Sequence, residues 1–329
     1  MKERSRIGIV AATLAVAIAV AAPDHAKAGP YTFQNIIDPV NPTFTQALGI
    51  NGAGTIVGYG NMTVFDGFQL VLPPVAGNFT RLNVPGQTGG TQVFGITSNG
   101  LTTAGFSVSA AGINNGFVET GGTFTTVDQP GTAFNQLLGI NALGTTAAGY
   151  SSTDPAGMVG QTAITVTGGP VFTSPVFHYI NALLPANTNS QATGVNNSGE
   201  VVGFYENAMG DFSAFSDIMG TITSFQFPGS VSTQALGLNN LGEIVGDYLD
   251  AMGVMHGFLD NAGAFTMLDP TGSTATTING INDNGTVVGF YVNAAGNTIG
   301  TVGTVPEPTS LAIFGSGLAL LFFRQRRRR

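Results

Sequence analysis

One motif recurs six times along the chain and limits its fold more than any other feature. The first copy reads Gly49-Ile50-Asn51-Gly52-Ala53-Gly54-Thr55-Ile56-Val57-Gly58-Tyr59. It returns at Gly95-Ile96-Thr97, Gly139-Ile140-Asn141, Gly194-Val195-Asn196, Gly237-Leu238-Asn239 and Gly280-Ile281-Asn282, at spacings of 46, 44, 55, 43 and 43 residues. A unit of about 45 residues holds four short strands and their turns, the content of a propeller blade, and is too long for one coil of a β-helix.

The segment ending Gly-Ile-Asn is expected as a strand, and Thr-Ile-Val-Gly-Tyr as the strand that returns. Between them Asn-x-x-Gly forms a tight turn, with the Asn side chain bonding its own backbone and the Gly supplying a positive φ. Copies two and three carry one more residue before the second glycine (Gly100 to Gly105, Gly144 to Gly149), which reads as a β-bulge. A third strand centres on Gly67-Phe68, Gly116-Phe117, Ala214-Phe215 and Gly257-Phe258. A fourth follows the pattern Phe-Thr-x-x-Asp, as in Phe124-Thr125-Thr126-Val127-Asp128 and Phe265-Thr266-Met267-Leu268-Asp269.

The sixth copy runs out after Val292 to Val302 without a fourth-strand segment of its own. The missing piece stands at the other end of the body, as Tyr31-Thr32-Phe33-Gln34-Asn35-Ile36-Ile37-Asp38-Pro39. A strand near Phe33–Ile37 paired with one near Thr298–Val302 would close the ring and remove an unpaired sheet edge. The expected fold is all-β: a six-bladed β-propeller of four-stranded blades over residues 29–304, closed by its N-terminal strand, plus a C-terminal hydrophobic helix. The repeat unit, with His256-Gly257-Phe258-Leu259 in its fifth copy, resembles the extracellular repeats named for a His-Ala-Phe motif. Only that copy keeps the histidine, and Gly257 replaces the alanine. Such repeats imply no catalytic residues.

Both ends carry sorting information. Lys2, Arg4 and Arg6 precede an apolar run from Ile7 to Ala22, and Ala26-Lys27-Ala28 has the form of a signal-peptidase site. Residues 1–28 are therefore expected as a signal peptide, with cleavage at Ala26 and Ala28 leaving Gly29 first. At the other end Pro306-Glu307-Pro308 precede an apolar run from about Leu311 to Phe323 and the cluster Arg324-Gln325-Arg326-Arg327-Arg328-Arg329. The run is shorter than the roughly 17 residues of a stable span, and its cationic flank resists export. These parts, in this order, resemble the PEP-CTERM sorting signal. The resemblance implies that residues 305–329 are a sorting tail and a transient inner-membrane anchor, that an exosortase-type machinery cuts near the triplet, and that the body reaches the cell surface or extracellular matrix.

Nine of the ten Lys and Arg residues lie in the two ends, which leaves Arg81 alone against fifteen acids, a net charge near −14 for the body. Such a surface repels nucleic acid and anionic lipid, so neither is expected as a partner. The chain has no cysteine, hence no disulfide and no thiolate metal site.

Signals for chemistry are sparse. The Asn-x-x-Gly turns lack the repeated carboxylates of a calcium loop, since Asp283 alone is acidic among the turn centres. Glu200 and Glu243, just after two turns, read as solvent-facing. His178 and His256 have no paired metal-ligand spacing, and no cofactor is expected. A sialidase-type Asp box needs a Trp, which the chain lacks. Asp211, Asp217, Asp247, Asp250 and Asp260 are dense in sequence and are the candidates for paired-carboxylate hydrolysis. The most regular polar column is Gln46, Gln92, Gln136, Gln191 and Gln234, with Thr277 in the sixth copy, each preceded by Ser, Thr or Asn. On inner strands these six would circle the axis, either as a structural ring or as a collar for a neutral sugar. Tyr59, Tyr150, Tyr205, Tyr248 and Tyr291 close the second strands and read as packing residues. The resulting expectation is a non-catalytic, exported surface or matrix protein with polysaccharide as its candidate partner. A secreted propeller hydrolase, glycosidase or lactonase-like, is the alternative.

Overall fold

The computed structural model describes residues 31–305 apart from 158, 170–171, 181–183 and 185–188. The signal peptide and the cleavage motif at Ala26 and Ala28 lie outside the described residues, as do the Pro306–Pro308 triplet, the apolar tail helix and the arginines Arg326–Arg329.

The described residues form six four-stranded antiparallel sheets arranged as propeller blades, with a short 3-10 turn at Ala76–Asn78. The inner strands are Thr45–Ile50, Gly90–Ile96, Phe134–Ile140, Ser190–Val195, Ser232–Leu238 and Ser273–Ile281. The last blade takes its outer strand from the N-terminus: Thr32–Ile36 pairs with Thr298–Thr304, with Phe33 opposite Gly303 and Ile36 opposite Gly300. Ile36, Val288 and Val302 of that blade pack with Ala47, Ile56, Phe68 and Leu70 of the first, so the seam is a continuous core.

In four of the six blades the Asn-x-x-Gly turn does two jobs. The Asn51 Oδ1 accepts from the Ala53 and Thr55 amides at 3.1 and 2.9 Å, which closes its own turn. Its Nδ2 donates to the Thr97 carbonyl of the next blade at 3.2 Å. Asn196 reaches the Asn239 carbonyl at 3.3 Å, Asn239 the Asn282 carbonyl at 3.1 Å, and Asn282 the Asn51 carbonyl at 2.9 Å across the seam. The turn glycines Gly54, Gly100, Gly144, Gly199, Gly242 and Gly285 all have positive φ, between 71° and 83°.

The extra residue of copies two and three is not a strand bulge. It sits in the turn: Thr97 and Asn141 close to Thr102 and Thr146, five residues on, where Asn51 closes to Thr55, four residues on. In these longer turns the Asn bridge is replaced. Thr97 has no side-chain amide, and Asn141 Nδ2 donates within its own turn to Thr145 Oγ1 at 3.0 Å. Across the blades Ser98 Oγ donates to the Ala142 carbonyl at 3.0 Å, and the Leu143 amide donates to Asn197 Oδ1 at 3.1 Å. Bulges do occur, at a shared place in every inner strand, between Ala47 and Gly49 and its five equivalents, and the last inner strand has a second between Ser273 and Ala275. The bulge explains the second-strand glycine. A Cβ on Gly58, Gly105, Gly149, Gly203, Gly246 or Gly289 would lie 1.9–2.1 Å from the carbonyl oxygen of the Gln or Thr residue on the inner strand. In four blades the space above that glycine is filled by the third-strand Phe opposite it, Phe68, Phe117, Phe215 or Phe258. All four rings are at most 2% exposed.

Blades are also joined through the residue that precedes each Gln. Thr45, Thr91, Asn135 and Thr233 accept a backbone N–H from the exit of the preceding blade, at Asp38, Val84, Gln129 and Phe227, over 2.9–3.0 Å. At the sixth blade the donor position is Pro270, which has no N–H, and the buried Thr276 Oγ1 has no partner. The lone body cation reinforces the seam. Arg81 of blade one grips Asp38, which follows the closing strand, at 2.5 and 2.8 Å, and lies 3.1 Å from Asp66.

Two stability outcomes follow. Thr233→Val removes the acceptor for a buried amide and should cost about 1–3 kcal/mol, whereas Thr276→Val at an equivalent depth should be neutral or stabilising. Urea denaturation of the two variants checks this, and equal losses would contradict it. Arg81→Met strands the fully buried Asp38 carboxylate. A fully buried pair costs about 3–5 kcal/mol to break, and with Arg81 30% exposed the expected loss is about 2–4 kcal/mol. Burial alone would raise the Asp38 pKa, but the bonds from Arg81, Asn41 and the Val40 amide outweigh it and lower it. The pair therefore stabilises fully above the unfolded Asp value of about 3.9 and is lost as pH falls through the lower folded value. The gap between wild type and Arg81→Met should close below about pH 4.

Candidate functional site: the propeller axis

The inner-strand bulge decides what faces the axis. Its residues, Leu48, Phe94, Leu138, Thr193, Leu236 and Asn279, form one ring, and Ile50, Ile96, Ile140, Val195, Leu238 and Ile281 form a second. Between the two rings is a void of about 70 Å³. Beyond the aliphatic ring, at the Asn turns, is a shallow hollow of about 120 Å³ edged by Asn51, Asn196, Asn239 and Asn282. At the opposite end, above the first ring, a recess of about 190 Å³ is lined by Gln136, Gln191, Gln234 and Phe204 together with that ring.

The Gln column is thus split. Gln136, Gln191 and Gln234 line the recess, and Gln46, Gln92 and Thr277 are not among its lining residues. Three of the six reach back to the preceding blade: Gln136 Nε2 to Asn114 at 3.1 Å, Gln191 Nε2 to Gln161 at 2.9 Å, and Thr277 Oγ1 to Asp247 at 3.1 Å. None bonds another member of the column among the described residues. The column that joins blades is the Ser, Thr or Asn one residue earlier, 0–4% exposed throughout. Its regularity was visible in sequence beside the Gln.

The tyrosines occupy two different positions. Tyr59 and Tyr150 directly follow the second-strand glycine and stand opposite Gln46 and Gln136, while Tyr205, Tyr248 and Tyr291 lie one residue further on and so point to the other face of their sheets. Glu243 is buried and Glu200 is half-buried, so neither is simply solvent-facing. Glu243 is 8% exposed and accepts from Asn239 Nδ2 at 2.6 Å, and Glu200 accepts from Asn196 Nδ2 at 3.2 Å, so both brace the bridging amide.

The five aspartates between 206 and 260 do not converge. Asp217 and Asp260 accept the Gly220 and Gly263 amides in turns on the Asn-turn side. Asp211 and Asp250 lie in turns at the opposite end of the strands, and Asp247 is buried within a strand. His256 sits off the axis between Asp269, at 2.6 Å, and Asp250, at 3.5 Å, and partly stacks on Tyr248. Partial burial works against its charge, but the two carboxylates outweigh it and raise its pKa. Asp128 and Asp269 accept the Gly116 and Gly257 amides, which explains the acid closing the fourth-strand motif. No group of three or more His, Asp or Glu able to hold a metal occurs among the described residues.

Both ends of the described body lie on the Asn-turn side. Thr304 pairs with Thr32, and the Tyr31 hydroxyl donates to the Gly285 carbonyl at 2.9 Å. The continuation of the chain decides its address. Residues 304–328 match the PEP-CTERM protein-sorting motif. The motif indicates export and sorting to the cell surface and implies recognition by exosortase machinery. No helix among the described residues is long and apolar enough to cross a membrane.

No curated protein matches the chain. Among solved structures it is similar to TolB from Acinetobacter baumannii, with a TM-score of 0.50 and 9% identity over 79% of this chain. It spans 64% of that TolB chain. It is also similar to AofleA from Arthrobotrys oligospora, with a TM-score of 0.49, 12% identity, and coverage of 82% of this chain and 86% of that one. A third neighbour is the six-bladed fucose-recognising lectin of Aleuria aurantia, with a TM-score of 0.43, 11% identity, and coverage of 78% and 90%. At these identities the likeness bears on fold alone.

Burial pushes the Asp247 carboxyl up to about 7 against the opposing Thr277 bond, and the Asp128 carboxyl up to about 6 against the opposing Gly116 amide. A carboxyl raised on folding stabilises most below its unfolded pKa, and that contribution is lost as pH rises through the folded value. The protein should therefore lose stability between about pH 4 and 7. Asp247→Asn should flatten much of that slope and leave the variant more stable than wild type at pH 8, by up to about 4 kcal/mol. Melting temperatures from pH 4 to 8 test this, and an unchanged slope would contradict it.

Proposed function

We propose that this is an exported surface or matrix protein that binds polysaccharide through one propeller face and has no catalytic role. The observation that carries the reading is where the chain leaves the fold. The sorting tail begins beside the Asn turns of blade six, and only residues 305–310 separate Thr304 from the apolar run. Six residues reach about 20 Å at most. While the tail holds, the Asn-turn side faces the membrane and the recess side faces away. The amide-lined recess is then the face displayed to the surroundings, and the resemblance of the repeats to extracellular His-Ala-Phe repeats fits that address. The signal peptide brings the chain to the inner membrane, the tail anchors it there briefly, and exosortase-type processing releases it.

A hydrolase of the glycosidase or lactonase-like kind is the second reading, favoured by the raised Asp247 carboxyl, since a general acid needs such a shift. Against it, no carboxylate or histidine is among the residues lining the recess, and Asp247 is 6% exposed.

Mass spectrometry of protein released from the cell surface should find a C-terminus near Pro306–Pro308, and a glycan array probed with that protein should give binding without turnover. Released protein that still ends in Arg329 would overturn the processing step. An array without a single bound glycan would overturn the binding role.

A further inference from the structure

We infer that the axial recess is the binding site, and that it takes one pyranose residue of a neutral glycan. This deepens the polysaccharide-binding reading and rests on it. Three features of the recess select the ligand.

The first is charge. The lining has no ionisable side chain, so nothing there compensates an anion. The body around it carries the net charge near −14 that follows from Arg81 against fifteen acids. An acidic sugar would meet repulsion without a partner.

The second is the hydrogen-bonding state of the amides. Gln136 and Gln191 each donate one Nε2 hydrogen, to Asn114 and Gln161 of the preceding blades, and neither Oε1 accepts a bond among the described residues. Gln234 makes no side-chain hydrogen bond among the described residues. Asn279, on the ring below, carries a buried Oδ1 without a partner. A native protein rarely leaves such an oxygen unpaired. The recess therefore presents unpaired amide oxygens beside spare N–H donors, which suits a ligand rich in hydroxyls, each able to donate and to accept.

The third is shape. Leu48, Phe94, Leu138 and Leu236 give the recess an apolar floor, and Phe204 gives it an aromatic wall. A pyranose offers apolar C–H faces and polar edges, which matches an apolar floor under a polar rim. The volume of about 190 Å³ is below the roughly 300 Å³ at which pockets for larger ligands begin. The aliphatic ring of Ile50 and its equivalents stops deeper entry. One sugar ring is seated and the rest of the glycan extends away from the anchored side.

The six repeats also supply an internal control. Gln46 holds the same repeat position as Gln234 but is not among the recess-lining residues. The test uses the purified full chain, titrated calorimetrically with methyl α-glucopyranoside, methyl α-mannopyranoside and methyl β-galactopyranoside, with glucuronic acid as the anionic comparison. At least one neutral glycoside should bind and glucuronic acid should not. Gln234→Ala and Asn279→Leu should each weaken that binding at least tenfold, while Gln46→Ala leaves it unchanged, with melting curves confirming that all three variants fold. Failure of all three neutral glycosides to bind overturns the assignment, as does wild-type affinity in both recess variants. Tight binding of glucuronic acid overturns the neutral-ligand class. If a polysaccharide binds and neither recess variant affects it, the recess assignment falls and the surface-binding function stands. If no polysaccharide binds, both fall.

Discussion

The fold depends on a side-chain amide used at both ends. In blades one, four, five and six the turn Asn closes its own hairpin with Oδ1 and fastens the next blade with Nδ2. A propeller has little else to fix blade against blade at the axis, because adjacent sheets share no backbone ladder. The glycine two residues before each Asn belongs to the same device. A Cβ there would approach the neighbouring blade to between 2.2 and 3.0 Å, so only Gly lets the inner strands come close enough for the amide to reach. Glu at the Asn position would lack the N–H that reaches the next blade, and Gln would have the chemistry but not the length, since the Oδ1 must fold back onto amides two and four residues ahead.

The architecture was legible in the sequence because a repeat reveals equivalence. The displaced segment Tyr31–Pro39 forecast the Thr32–Ile36 pairing with Thr298–Thr304, and the Asn-x-x-Gly pattern forecast the turn down to its positive-φ glycine. Direction was not legible. A bulge reverses which side of a strand a residue faces, and nothing in the letters marks one at Leu48 or Phe94. That is why Leu48 and its equivalents form a ring on the axis; which of the Gln residues line the recess differs from blade to blade, and the less conspicuous Thr, Ser or Asn before them joins the blades. The tyrosines, four of them buried as packing residues, are not equivalent to one another for a related reason. A shift of one residue between Tyr150 and Tyr205 moves the ring to the other face of the sheet, although both look like the end of the same strand.

The charge balance shows what a single residue contributes. The body keeps one cation, and Arg81 stands at the seam between the first blade and the strand that closes the last. Without it the buried Asp38 would add an uncompensated charge to a protein already rich in acids. Elsewhere the acids are managed by backbone amides: Asp128, Asp217, Asp260 and Asp269 each accept one. This economy suits an exported chain without disulfides, whose stability is carried by packing, hydrogen bonds and the Arg81 ion pair.

The two faces of the propeller have diverged to different degrees. On the Asn-turn side four of the six blades repeat the same bridge, and the two exceptions, Thr97 and Asn141, follow from turns one residue longer. On the recess side the equivalent positions differ from blade to blade: Tyr59, Phe106, Tyr150, Phe204, Asp247 and Phe290 all follow the second-strand glycine, and the bulge ring mixes Leu and Phe with Thr193 and Asn279. A purely structural ring gains from sixfold sameness, because each copy solves the same packing problem. A site for one asymmetric ligand gains from difference, because each hydroxyl needs its own neighbour. The side that carries the chain ends kept the repeat, and the side turned away from them gave it up where the recess lies.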